Sequence, residues 1–150
     1  MNSLPDKELL QRFESLTLSL DHWRHREHLR IAYLYLTQHD FETAKLKISA
    51  SIRAHNAAHG IAQTPTSGYH ETQTMLWMHL VATTLAEYGP AGGSEDFLDF
   101  HTQLTAVKLH RLYYSRERFM SPEARMRFVP PDLAPLPRIG RARFDDESLD

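Results

Sequence analysis

"DHWRHREHLRIAYLYLTQ", residues 21–38, is the stretch on which the reading of the chain turns. Leu29, Ala32 and Leu36 follow one another at three and four residues, the spacing of one face of an α-helix. His25 precedes Leu29 by four and Ala32 by seven, which puts it in the middle of that inward line. His28 falls on the flank shared with Tyr35, and His22 on the flank shared with Tyr33. Residues six apart do not share a helix face, so His22, His25 and His28 cannot all address one point. Arg24, Arg26, Glu27 and Arg30 take the opposite arc and are expected to face solvent. The stretch therefore reads as an inward His25/His28 pair with His22 nearer the surface.

Helical spacing extends from this segment in both directions. Upstream, "SLPDKELLQRFESLTL" places Leu9, Leu10, Phe13 and Leu16 at helical intervals behind Ser3 and Pro5. Downstream, the spacing predicts a second helix from about Asp21 to Gln38 and a third, capped by Asp40, that stops at Gly60. "IAQTPTSG" reads as a loop, punctuated by Pro65 and Gly68. A fourth helix is expected from about Tyr69 to Tyr88 and a fifth from Ser94 to about Ser115. Ser121-Pro122-Glu123 signals a short sixth helix ending near Phe128. "VPPDLAPLP", with four prolines in nine residues, cannot continue it and predicts an extended strap, with Leu133 and Leu136 spaced to pack on the helices. The fold class is all-α: one helical bundle with its strap over residues 1–137, then a flexible tail over 138–150.

Composition narrows the chemistry. With 150 residues and 41% hydrophobic content, the chain can close a single core. Seventeen basic and 19 acidic residues give a formal charge of −2, which argues against a nucleic-acid partner. The absence of cysteine excludes disulfides, thiolate nucleophiles and sulfur-ligated metals. The longest apolar run, "IAYLYL", is six residues, too short for a membrane span. "MNSLPDKELL" lacks the layout of a signal peptide, and a cytoplasmic protein is expected. Ten histidines make any binding sensitive to pH near neutrality.

A second polar group opens the fourth helix: "GYHETQTMLWMHL", residues 68–80. If the second and third helices form a hairpin, the third returns to the level of His25 and His28, bringing Asn56 with it. The loop after Gly60 then delivers Tyr69, His70 and Glu71 to the same end. Nitrogen and carboxylate donors without sulfur suit iron, manganese, zinc, nickel or copper(II). His55 and His59 have ligand spacing but sit at a helix end beside Gly60, and two exposed imidazoles are expected there. No H-E-x-x-H or E-x-x-H signature is present.

Trp23 together with "HREHLRIAYLYL", "HNAAHG", "GYHETQT" and "LYYSRERFMSPEARMRFVPPDLAPLP" resembles a group of small uncharacterised bacterial all-helical proteins. The shared pieces are H-x-x-H-L, N-x-x-x-G, Y-H-E-T-x-T and P-D-L-x-x-L-P, over roughly residues 22–137. The resemblance implies a helical fold and brings no activity with it.

Three functions stay open at this point. In the first, a divalent transition metal is held by His25, His28, His70 and Glu71, with Glu71, His70 and Tyr69 as catalytic groups. Asn56 and Arg125 would contact a small polar substrate, with oxygenase or hydrolase chemistry. In the second, the same cluster works without metal, His25 or His70 being a base oriented by Glu71. In the third, the chain is an interaction subunit, its strap docking on a partner. A homodimer is left open.

Overall fold

The computed structural model describes residues 3–139. It contains seven α-helices among those residues: α1 (Asp6–Glu14), α2 (His25–Gln38), α3 (Phe41–Ala58), α4 (Glu71–Tyr88), α5 (Ser94–Phe100), α6 (Arg116–Phe119) and α7 (Pro122–Met126). No β-strand occurs among the described residues; an isolated bridge pairs Thr64 with Ser67 in the α3–α4 loop. The all-α bundle is as expected. Most of the expected tail, from residue 140 on, lies outside the described residues.

Helix α2 is the axis of the assembly and touches α1, α3, α4 and α5. Seven consecutive residues, Leu29 to Tyr35, are buried, so it is enclosed all round rather than along one stripe. This overturns the expected solvent arc at Arg30, whose side chain is fully buried. The N-terminal segment and the start of α5 close over that side and supply oxygen partners to the guanidinium. Helix α3 begins at the expected cap, the Asp40 carboxylate accepting from Thr43 N at 2.7 Å. It ends near Gly60, whose φ of +71° is a conformation that glycine adopts without strain.

The fifth helix is much shorter than the spacing predicts. It stops at Phe100 and gives way to 3₁₀ turns at Thr102–Thr105 and Leu109–Leu112. β-Branched Thr102, Thr105 and Val107 weaken helix propagation there, and the break lets Leu104 enter the core at 2% exposure. The extra single-turn helix α6 is capped by Ser115, and α7 by Ser121 with Pro122 in its first turn. Of the two strap leucines, Leu136 packs on the core, whereas Leu133 is 58% exposed. The strap is fastened by hydrogen bonds instead. Tyr114 Oη donates to the Val129 carbonyl at 2.6 Å, and Leu133 N donates to the Tyr113 carbonyl at 2.9 Å. No helix among the described residues is long and apolar enough to cross a membrane.

Candidate functional site

The first residues of α2, the last turns of α3, the α3–α4 loop and the first turns of α4 enclose a cleft of about 200 Å3. Trp23, His25, His28 and Ala32 form one wall, and Ile48, Ile52 and Asn56 of α3 another. The loop adds Ile61, Gly68, Tyr69 and His70, and α4 adds Gln73, Thr74, Trp77 and Met78. Both tryptophans of the chain line it. Among the described residues, no aspartate, glutamate, lysine or arginine does.

His25 is fixed by an Nε2–H donated to the Leu104 carbonyl at 3.2 Å, with its ring edge-on to Trp77 at 4.5 Å between centroids. Burial lowers its pKa, against the raising effect of the Leu104 bond, and charge on His110 lowers it further. His28 stacks on Trp23 with centroids 3.8 Å apart. Neither of its ring nitrogens has a hydrogen-bond partner among the described residues, and neither is sealed from open space. Enclosure, and then the neighbouring His25 and His55, push its pKa down to about 3, so the ring is neutral near pH 7. Asn56 presents a half-buried amide to the same space.

The other expected site residues have structural partners. His70 caps α4: its Nδ1 accepts from Gln73 N at 3.0 Å while its Nε2–H donates to the Phe119 carbonyl at 2.9 Å. Both nitrogens are thus occupied, and neither is free to ligate a metal. Burial lowers its pKa, an effect that Arg125 reinforces and the Phe119 bond opposes. Tyr69 is 2% exposed and donates its hydroxyl to Glu71 Oε1 at 2.5 Å. Its pKa is pushed up to about 12, by burial first and by Glu71 next. Glu71 does not line the cleft. Arg125 also stands outside it and holds the loop, donating Nη1 to the Gly68 carbonyl at 2.9 Å. His25, His28, Asn56, Tyr69 and His70 therefore meet around one cavity, whereas Glu71 and Arg125 support it from behind.

These placements give three of the four expected metal ligands, His25, His70 and Glu71, other partners within the chain. Among the described residues, no group of three or more histidine, aspartate or glutamate side chains is arranged to hold a metal ion. The physical reason lies in the start of α4. A polar residue at a helix start answers free backbone N–H groups before it answers a ligand.

His55 and His59, expected to be exposed, are a second correction. Both donate Nε2–H to one acceptor, the Leu18 carbonyl, at 3.1 and 2.8 Å. His55 is fully buried, with Nδ1 lacking a partner among the described residues. Most of the other lining residues, among them Trp23, Gln73 and Trp77, were absent from the expected site. Trp77 lies seven residues, two helical turns, beyond His70, and its place on that face of α4 was the signal. Comparisons of the chain with family models, with curated proteins and with solved structures return no match.

Proposed function

We propose that the chain binds a small uncharged molecule in the cleft between α2, α3 and α4. One observation carries this reading: the imidazole of His28 faces an existing cavity, and neither nitrogen has a partner among the described residues. Its nitrogens are open to solvent, so an occupant that bonds them replaces water and gains a net of about 0.5–1.5 kcal/mol per hydrogen bond. Pockets that take small molecules are mostly apolar with a few convergent polar groups, and this lining has that composition.

His28 suits recognition better than proton abstraction. A base whose conjugate acid has a pKa of about 3 removes protons weakly at neutral pH. The neutral ring instead offers one donor and one acceptor. His25 adds an acceptor at Nδ1, because its Nε2–H is committed to Leu104.

The test uses the two tryptophans. A library of small uncharged polar compounds is titrated into the full chain while indole emission and the two indole N–H signals in NMR spectra are followed. Binding in the cleft shifts both indole signals. His28→Phe keeps the stack on Trp23, removes both nitrogens and abolishes or strongly weakens the response. A library without any effect on either indole refutes the reading.

A further inference from the structure

The cleft has three properties that together narrow its occupant. Its size is the first. About 200 Å3 exceeds the roughly 150 Å3 that accommodates a benzene ring and leaves room for one small substituent. A single ring fits within that volume.

Its walls are the second. Trp23, Trp77 and Tyr69 present aromatic carbon, and the rings of His25 and His28 lie close against the two indoles. Flat π-systems gain offset and edge-to-face contacts with such walls beyond the gain from area alone. A saturated ring of the same size gains the area only.

Its charge is the third. Among the described residues the lining carries no formally charged side chain, and three charged groups contact its walls from outside. The Arg53 guanidinium lies 4.2 Å from the Tyr69 ring centroid, Glu71 receives the Tyr69 hydroxyl, and Arg125 holds the Gly68 carbonyl. An ion entering a lining without a counter-charge loses hydration that nothing replaces. Among the uncharged groups, the half-buried Asn56 amide has no side-chain hydrogen bond to another described residue. A carboxamide carries a donor and an acceptor side by side, and its natural complement is another amide edge.

We infer that the cleft selects a flat, uncharged, single-ring molecule bearing a carboxamide or an equivalent adjacent donor–acceptor edge. Asn56 pairs with that edge, and His28 supplies a further hydrogen bond. This inference rests on the cleft being a binding site, and the experiment separates the two claims.

Benzamide, benzoate and benzamidinium share one shape and carry charges of 0, −1 and +1. Each is titrated into the full-length chain at pH 8, where the cleft imidazoles are neutral. Calorimetry gives affinity, and the indole N–H signals give location. Cyclohexanecarboxamide serves as the saturated control. Benzamide is expected to bind in the millimolar range, at least tenfold tighter than either ion and several-fold tighter than the saturated amide. Asn56→Leu and His28→Phe each weaken benzamide by fivefold or more while leaving the chain folded, as judged by its NMR spectrum.

An ion binding as tightly as benzamide overturns the inference, and so does equal binding of the saturated amide. In both cases the cleft itself survives as a binding site. If none of the four probes moves either indole signal, but another uncharged compound does, the assigned class is wrong and the cleft reading stands. If no compound of any class moves them, both readings fall together.

Discussion

Helix α2 bears two polar arrangements on its two sides, satisfied in contrasting ways. Arg30 lies about 200° around the helix axis from His28. The Arg30 guanidinium donates to Ser94 Oγ at 2.7 Å, to the Leu4 carbonyl at 2.6 Å and to Asp6 Oδ1 at 2.9 Å. Arg26 continues that side, donating to Glu95 at 2.8 Å and Asp99 at 3.0 Å. These bonds clamp the N-terminal segment, α2 and the start of α5 together. On the other side the polar groups are neutral imidazoles and an amide, and they face a cavity. On the charged side the chain's own oxygens engage Nε and Nη2 of Arg30, while Nη1 is buried without a partner among the described residues. The uncharged side has its free donors and acceptors turned to an open cavity, and that difference separates a structural joint from the proposed binding site.

Removing the clamp is expected to have the largest effect. Arg30→Ala leaves Asp6 and Ser94 without their cation and opens a hole beside α5, with an expected loss of about 3–5 kcal/mol in denaturant unfolding. A loss under about 1 kcal/mol would mean that the two sides of α2 are not different in kind.

Acid comes next and affects the two sides at different pH. Burial lowers the pKa values of His25, His28, His55 and His70 in the folded chain, that of His28 to about 3. In the unfolded chain these histidines take up protons near pH 6.5. The unfolded state therefore binds more protons as pH falls below 6.5, and stability must fall with it, by about 1.4 kcal/mol per pH unit for each histidine kept neutral. Asp6 behaves differently. Burial raises its pKa, but hydrogen bonds from Ser94 and Arg30 outweigh that and leave it below 3.8. The clamp accordingly holds through the histidine window and weakens only in stronger acid. Melting temperatures between pH 8 and pH 4.5 check this, and a flat profile would refute it.

His28→Phe sharpens the comparison further. It replaces an imidazole that makes no hydrogen bond to another described residue with an apolar ring on the same indole. Stability near pH 7 is expected to change by less than about 1 kcal/mol, and part of the acid sensitivity should disappear. The smallest effect belongs to Leu16, a non-glycine residue at φ +65° in the turn after α1. Leu16→Gly relieves left-handed strain but adds freedom to the unfolded chain, so a net gain of about 0.5 kcal/mol or less is expected in denaturant melts.

The sequence showed clearly where the cleft would form. Helical spacing alone turned His25 inward, and a hairpin of α2 and α3 sufficed to bring Asn56, Tyr69 and His70 to the same level. Asp40, Gly60 and Ser121 marked helix ends because caps and left-handed turns act locally. What stayed hidden depended on distant partners. Arg30 reads as solvent-facing until Asp6 and Ser94, far away in sequence, come to it. His55 and His59 read as exposed because the carbonyl they share belongs to Leu18, on another segment. His70 and Glu71 read as ligands because the sequence does not show that Phe119, Gln73 and Tyr69 already engage them.

Besides Arg125, a glutamine braces the loop between α3 and α4 from within. Gln63 accepts from Tyr69 N at 2.8 Å and donates to the Tyr69 carbonyl at 3.0 Å, so one side chain imitates a rung of a β-ladder. Gly68 beside it has no room for a methyl group, since a Cβ there would stand 2.5 Å from Gln63 Oε1. A rim braced in this way has no shutter to swing. Capture of a guest should follow simple bimolecular kinetics, with an observed rate that climbs linearly with concentration and never levels off at a gating step.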